Sequence, residues 1–387
     1  MPTRTVRTRF VTAAEAAALL GVRRTSLYAY VSRGRIRVAA HPLDPRSRLY
    51  SLADVEALLE RKAHGRRPAE AAATALSWGL PVLETHVSHI ADGHLFYSGE
   101  DAIQFSDHAT LEDAARLLWD CAGGDPFRAA RRPPAITPNL GPLDRAIVAM
   151  TELGASRPKP GAADVAQCAL ILRTVASAIV GTPLAAGPIH RAIARAWGRP
   201  DAVDAIRRAL VLLADHELNA STFAVRVVAS TGASLAACVI AGLAALTGPR
   251  HGGATADVAA FFNACGRRDP AGVIRRRLAS DGALPGFGHR LYPDGDPRAA
   301  ALLAACPPPA PLRKILDAAP AATNLAPNVD AALVALERAH RLPPGSALAL
   351  FAIGRTVGWL AHAMEQQATG QLIRPRAAYV AVPPAPR

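Results

Sequence analysis

Between Arg226 and Arg250 the chain runs for 23 residues, Val227 to Pro249, without one charged side chain. A stretch of that length either crosses a membrane or lies buried in a large folded body. Ala, Gly, Ser, Thr and Cys outnumber Leu, Ile and Phe in it, which makes it too weakly apolar for lipid. The expectation is a buried core helix whose small side chains let neighbouring helices come close. The rest of the chain agrees. Half of its 387 residues are hydrophobic but only 5% are aromatic, so the core rests on Ala, Leu and Val. The β-branched and aromatic runs that strands need are sparse. An all-α body follows, and a chain this long divides into more than one domain.

Charge is spread unevenly. The net charge is +13, yet residues 1–68 hold 14 Lys/Arg and 5 Asp/Glu, hence +9, and the remainder carries only +4. A basic module attached to a nearly balanced body points to nucleic acid at one end. The five cysteines (Cys121, Cys168, Cys238, Cys265, Cys306) are scattered without CxxC spacing. That excludes a disulfide framework and a zinc site and fits reduced thiols in the cytoplasm. MPTRTVRTRF lacks the apolar segment of a secretory signal, and no membrane partner is expected.

Residues 9 to 62 read as a small module. Thr12 and Glu15 have the spacing of a capping box. Ala16, Ala17, Leu19 and Leu20 form an apolar helical face that Gly21 stops. Arg23 to Val31 is a second short helix, with Arg23, Arg24, Thr25 and Tyr28 facing outward. A turn at Ser32 to Ile36 leads into a hairpin or wing that returns through Arg46 to Tyr50. Ser51 to Asp54 then cap a last helix, Val55 to Lys62. The stretches TAAEAAALLGV, SLYAYVSRGRI and SRLYSLADVEALL resemble the helix-turn-helix modules of excisionase-like and MerR-like proteins. The resemblance implies a small winged module over residues 1–66, with DNA as the partner of residues 9–62, followed by a linker at 67–80. Beyond it, Thr85 to Phe105 alternates polar and apolar residues around a turn at Asp92-Gly93 and reads as a hairpin. Asp107 to Asp113 cap a helix from Leu111 to Asp120. Proline loops at Arg131 to Pro138 and Arg157 to Pro160 interrupt the helices that follow.

Chemistry gathers in four places. In GFGHRLYPDGDPR, Gly286 to Arg298, two glycines let the backbone turn and approach a ligand. His289 there can donate near neutral pH, and Arg298 can clamp a carboxylate with two parallel bonds. Asp215-His216-Glu217-Leu218-Asn219-Ala220-Ser221 closes one apolar helix and opens the next. Arg250-His251-Gly252-Gly253-Ala254 ends the uncharged helix with His251 accessible. Pro327-Asn328-Val329-Asp330 is a proline-opened turn presenting a carboxylate. Arg355 stands in an otherwise apolar helix, where an unpaired charge is costly. Together these residues suit a small carboxylated substrate with acid–base chemistry at its carbonyl.

The segments DHELNAST, HGGA, PGFGHRLY…DPRA, PNVDA, FAIGRTVGWLAH and LIRPRAAYV, in that order, resemble those of the citrate synthases. LFYSGEDAIQFSDHATLEDAARLLW is similar to that family's N-terminal segment, so the likeness runs from about Thr85 to Tyr379. It implies a two-domain helical body: a large domain at 81–252 and 350–387, and a small one at 253–349, closing around a hinge at His251. It implies condensation of acetyl-CoA with oxaloacetate and hydrolysis of the citryl thioester, with no metal or redox cofactor. In the family pattern Asp330 is the base, His251 bonds the thioester oxygen and His289 protonates the oxaloacetate carbonyl. His216, Arg298 and Arg355 hold carboxylates, and Phe351 packs beside the reacting carbons. Arg374 matches an arginine supplied by the neighbouring subunit, which implies a homodimer. Leu284, Pro285, Gly286, Phe287 and Gly288 match the residues whose backbone cradles the CoA adenine. One departure stands out: where the family often carries Lys or Arg four positions after His289, this chain has Pro293, which implies either lower affinity for CoA or substitution by Arg290 or by Arg275, Arg276 and Arg277. Two rival readings remain at this point. One is 2-methylcitrate synthase using propionyl-CoA. The other is a transcription regulator whose body senses oxaloacetate or an acyl-CoA.

Overall fold

The computed structural model describes residues 10–20, 22, 24–32, 35–41, 44–52, 54–55, 82–121, 124–128, 135–155, 165–266, 269–377 and 379. The expected linker at 67–80, most of the helix expected at Val55 to Lys62, and Arg23 lie outside the described residues. The chain forms two compact units, Met1–Glu84 and Thr85–Arg387.

In the first unit, β1 (Phe10–Thr12), α1 (Ala13–Leu20), α2 (Arg24–Ser32), β2 (Val38–His41) and β3 (Asp44–Ser51) follow one another. The capping box at the start of α1 is present: Thr12 N–H donates to Glu15 Oε2 at 2.8 Å, and Glu15 N–H donates to Thr12 Oγ at 3.3 Å. The strands form an antiparallel sheet in the order β1-β3-β2, so the expected wing is present with one extra strand. Ala16, Leu20, Leu27, Ile36, Tyr50 and Val55 close a small core between the helices and the sheet. Arg37 grips Asp54 through Nε and Nη2, both at 2.9 Å, and ties the wing to the chain beyond it. Tyr28 on α2 is 59% exposed.

The second unit opens with the expected hairpin, β4 (Ser88–Ala91) and β5 (His94–Tyr97), joined by β6 (Glu100–Asp101). Helices follow: α3 (Ala102–Ser106), α4 (Leu111–Leu118), α5 (Pro142–Ala155), α6 (Val165–Val180), α7 (Ile189–Ala196), α8 (Val203–Leu212), α9 (Ala220–Ala229) and α10 (Leu235–Leu246). Then come α11 (Ala254–Gly266), α12 (Pro270–Asp281), α13 (Pro297–Ala305), α14 (Ala310–Thr323), α15 (Val329–Ala339) and α16 (Ser346–Thr369). The uncharged stretch from Val227 is not one helix. It holds the end of α9 and all of α10, broken at Ser230 to Ser234, where Gly232 takes φ 78°. Burial was read correctly: Cys238, Val239, Gly242 and Leu243 face the core.

The element at the centre is α16, which packs against α4, α6, α8, α9, α10 and α15. By length and hydropathy it meets the criterion for a membrane span, but 89% of its most apolar window is buried inside the protein. Gly358 on this helix lets the chain after α8 come within bonding distance: its N–H donates to Ala214 O at 2.9 Å. A Cβ at 358 would overlap that carbonyl and the Asp215 carboxylate. The close approach sets the loop from Leu213 to Asn219 against Arg355.

Candidate functional site

The loop between α8 and α9 carries His216 and is held on every side. Arg355 Nε donates to Leu213 O at 3.0 Å, and Tyr97 Oη donates to Val211 O at 2.9 Å. Asp215 is fully buried and its Oδ2 accepts from Ser88 Oγ and from His362 Nε2, the latter at 3.2 Å. Burial pushes this carboxyl up, but His362, Arg355 and Ser88 together hold it below its ordinary value. Ser88 Oγ also accepts from Glu217 N–H at 3.0 Å, and Glu217 is in the left-handed region at φ 49°. Asn219 closes the loop by capping α9, its Oδ1 accepting from the N–H groups of Ser221 and Thr222 at 3.1 Å each.

A second scaffold presents His289 and Asp330. Gly288 N–H donates to Ala326 O at 2.8 Å, and Asn328 N–H donates to Gly286 O at 2.9 Å, so Phe287 pairs with Pro327 in a short antiparallel bridge. Asn328 Nδ2 adds a bond to Gly288 O at 3.2 Å. Gly286, at φ 85°, is pressed against Val258 and Ala331, where a Cβ would meet Val258 Cγ2 at 2.9 Å. Of the five residues expected at CoA adenine, Leu284, Gly286 and Phe287 are buried, and Pro285 and Gly288 are half-buried. The Gly286 N–H and the Phe287 C=O take no part in the bridge. Asp330 is not in a turn. It occupies the first turn of α15, whose cap is Asn328 accepting from the N–H groups of Asp330 and Ala331.

The buried cations Arg298 and Arg355 are the common neighbours of the expected site residues. Asp330 is pushed up to about 6, chiefly by burial, with Arg298 and Arg355 opposing and Asp296 reinforcing. Burial, then Arg355, lowers His251 to about 4. Burial, then Arg298, lowers His289 to about 4. His216 is driven well below its ordinary value by burial and by Arg298, Arg355 and His289. The structure thus combines three neutral imidazoles with a carboxyl poised to ionise near neutrality. The His216 and His289 rings meet edge-on at 5.2 Å, and His251 meets Phe351 edge-on at 5.9 Å. Arg355 stacks over Phe351 at 4.9 Å, and its Nη2 is buried without a partner among the described residues.

Arg298 already has a carboxylate. Asp296 binds its Nε at 3.0 Å and its Nη2 at 2.8 Å, both side chains being almost fully buried, and Asp296 also accepts from Val329 N–H at 3.0 Å. Nη1 stays outside this pair. Arg374 stands apart from the cluster: it is exposed in the segment after α16 and makes no hydrogen bond or ion pair among the described residues. Among the described residues no group of three or more His, Cys, Asp or Glu side chains is arranged to hold a metal ion, and none of the five cysteines forms a disulfide.

Several neighbours were not foreseen from the sequence. Ser221 Oγ lies 2.8 Å from His251 Nε2 and receives the Trp359 indole N–H at 3.2 Å. Tyr292 Oη lies 3.0 Å from His216 Nε2. Asp296 as the partner of Arg298 was missed as well; its one signal was the Asp-Pro pair before Arg298, an ordinary helix start in which the cap residue also reaches the arginine.

Two family models match the chain: the C-terminal domain of citrate synthase over residues 139–376, and a helix-turn-helix domain over residues 10–63. A putative citrate synthase 2 of Mycobacterium tuberculosis is 39% identical over 213 residues, covering 51% of this chain and 56% of that protein. Citrate synthase 2 of Bacillus subtilis is 37% identical over 191 residues, covering 46% of this chain and 51% of that protein. The chain therefore spans about half the length of the curated relatives it matches. Among solved structures, citrate synthase of Thermotoga maritima superposes with a TM-score of 0.66 at 26% identity, over 79% of this chain and 94% of that one. A ternary complex of carboxymethyl coenzyme A and oxaloacetate with the citrate synthase of Thermoplasma acidophilum gives 0.65 at 26% identity, over 80% and 95%.

Proposed function

The chain belongs to the citrate synthase family, and from that premise we propose that it condenses acetyl-CoA with oxaloacetate and hydrolyses the product thioester to citrate and CoA. The observation that carries this reading is the convergence of Asp330, His251 and His289 on the buried Arg298 and Arg355, with burial raising the carboxyl to about 6 and lowering both imidazoles to about 4. A thioester methyl proton is too weakly acidic for a carboxylate acting alone, so the enolate oxygen must be stabilised as the proton leaves.

Asp330 takes that proton, and His251 donates to the thioester oxygen. Ser221 Oγ receives the Trp359 indole N–H, donates its proton to Asn219 Oδ1 at 2.7 Å and lies 2.8 Å from His251 Nε2, so it anchors the His251 ring. The enolic carbon attacks the oxaloacetate carbonyl carbon, and His289 gives a proton to the oxygen that becomes the citrate hydroxyl. Transfer from Asp330 back to His289 closes the proton count, and water then cleaves the thioester. Neutral rings suit this work, since charged ones would repel Arg298 and Arg355.

His216, Nη1 of Arg298 and Nη2 of Arg355 bind the oxaloacetate carboxylates and carbonyl. Arg374 reaches the site of a neighbouring subunit in a homodimer, which agrees with its exposure and lack of a partner within the described chain. Phe351 packs beside the reacting carbons, and residues 284–288 receive the CoA adenine. The body works as a large domain (81–252, 350–387) and a small one (253–349) that close over oxaloacetate before the thioester reacts. No metal or redox cofactor enters, and the cytoplasm is the expected compartment.

A thiol-release assay with oxaloacetate and either acetyl-CoA or propionyl-CoA tests this. Turnover with acetyl-CoA that Asp330→Ala abolishes supports it. Preference for propionyl-CoA moves the assignment to 2-methylcitrate synthase. No turnover with either moves it to a regulator that senses these ligands. A second reading is independent of the first: the matched helix-turn-helix, its wing and the exposed Tyr28 on α2 favour binding of duplex DNA through residues 9–62. Absence of salt-dependent binding to duplex DNA would exclude it.

A further inference from the structure

Tyr292 is buried, 2% exposed, among three of the groups proposed to handle oxaloacetate. Its hydroxyl lies 3.0 Å from His216 Nε2, its ring centroid 5.0 Å from that of His289, and the Arg298 guanidinium 5.4 Å from its ring centre. We propose that Tyr292 is a positioning residue: its hydroxyl donates to His216 Nε2 and so fixes the ring proton of His216 on Nδ1, ready to donate to an oxygen of the substrate.

The direction of the bond follows from the two partners. A neutral imidazole carries one N–H and one bare nitrogen. Burial, then Arg298, Arg355 and His289, keeps His216 neutral, and burial keeps the Tyr292 hydroxyl protonated above its ordinary range. The phenol is the better acid and the imidazole nitrogen the better base, which favours O–H···N. Within the described residues the ring's only hydrogen bond is at Nε2, so Nδ1 is the nitrogen available to a ligand. With the proton there, His216 donates to a carboxylate or carbonyl oxygen. With the bond reversed, Nδ1 turns a lone pair toward that oxygen and repels it. The ring of Tyr292 meanwhile packs against both His289 and Arg298, so one side chain touches all three groups.

The inference rests on reading this pocket as an oxaloacetate site, and the test separates the two. Tyr292→Phe keeps the ring and removes the hydroxyl. KM for oxaloacetate should rise about tenfold, the worth of one hydrogen bond, while KM for acetyl-CoA changes less than about twofold and kcat less than about threefold. An unchanged KM overturns the proposal. So does a lowered one, which identifies the hydroxyl as an obstacle to the substrate. Histidine side-chain 15N spectra of the ligand-free protein, with His216 assigned by the signal lost in His216→Gln, give a readout that needs neither turnover nor the Phe variant. A protonated Nδ1 and bare Nε2 support the proposal, and the reverse pattern overturns it. Absence of turnover in the wild type defeats the oxaloacetate reading, and the spectrum still decides the tautomer.

Discussion

Replacing Asp330 by Asn removes one negative charge from the pocket and leaves the side chain's shape almost unchanged. The carboxyl is raised from 3.8 to about 6, mainly by burial. The folded state therefore prefers the protonated acid. Its contribution to stability is complete below the unfolded value of 3.8 and is lost as the pH rises through about 6. A shift of about two units corresponds to about 3 kcal/mol of destabilisation at neutral pH. Asp330 keeps partial access to solvent, which screens the charge, so about 1–2 kcal/mol is the expected gain for Asp330→Asn. The variant should unfold at a higher denaturant concentration than the wild type at about pH 7.5, and the advantage should shrink by more than half at about pH 4.5. Turnover should fall about 10²- to 10⁴-fold, the usual worth of a positioned base. Equal midpoints at both pH values, or turnover within about tenfold of wild type, would refute the account of Asp330 as a buried base.

Three further outcomes follow from the same geometry. The acid limb of the wild-type kcat/KM profile should have its midpoint near the Asp330 value of about 6, since the base must be ionised; a midpoint near 4 would assign the limb to the histidines. Gly358→Ala should cost about 3 kcal/mol or prevent folding, because the added methyl overlaps Ala214 O and the Asp215 carboxylate, and chemical denaturation measures this. Ser88→Ala should cost about 1–3 kcal/mol and raise KM for oxaloacetate, since Asp215 loses a donor, Glu217 N–H loses its acceptor and the His216 loop loosens.

Much of this molecule can be read from the chain, and the part that cannot has a common physical cause. Local patterns carried through: the Thr12/Glu15 capping box, the turn at Asp92-Gly93 and the caps before α4 are decided within a few residues. The candidate residues were visible because their motifs lie in short, ordered segments. What sequence spacing does not encode is which distant group answers them. Ser88 meets Asp215 across 127 positions, and His362 meets the same carboxylate across 147. Tyr292 reads as one more aromatic beside a His, until folding sets its hydroxyl against His216, 76 positions away. The uncharged stretch misled for a related reason. Composition reports burial but is blind to a reversal, which Gly232 permits within five residues.

The bridge between Phe287 and Pro327 has a kinetic consequence. His289 follows one side of it by two residues and Asp330 follows the other by three, so the two side chains ride on a single rigid mount. Any swing of that mount displaces both in common and leaves their mutual spacing fixed. Under the proposed roles, a perturbation at Ala326 or Pro327 should therefore slow deprotonation of one substrate and protonation of the other together. The proposed roles then make Ala326 and Pro327 positions where one substitution reaches both proton transfers, whereas His251 and His216 lie outside the bridge.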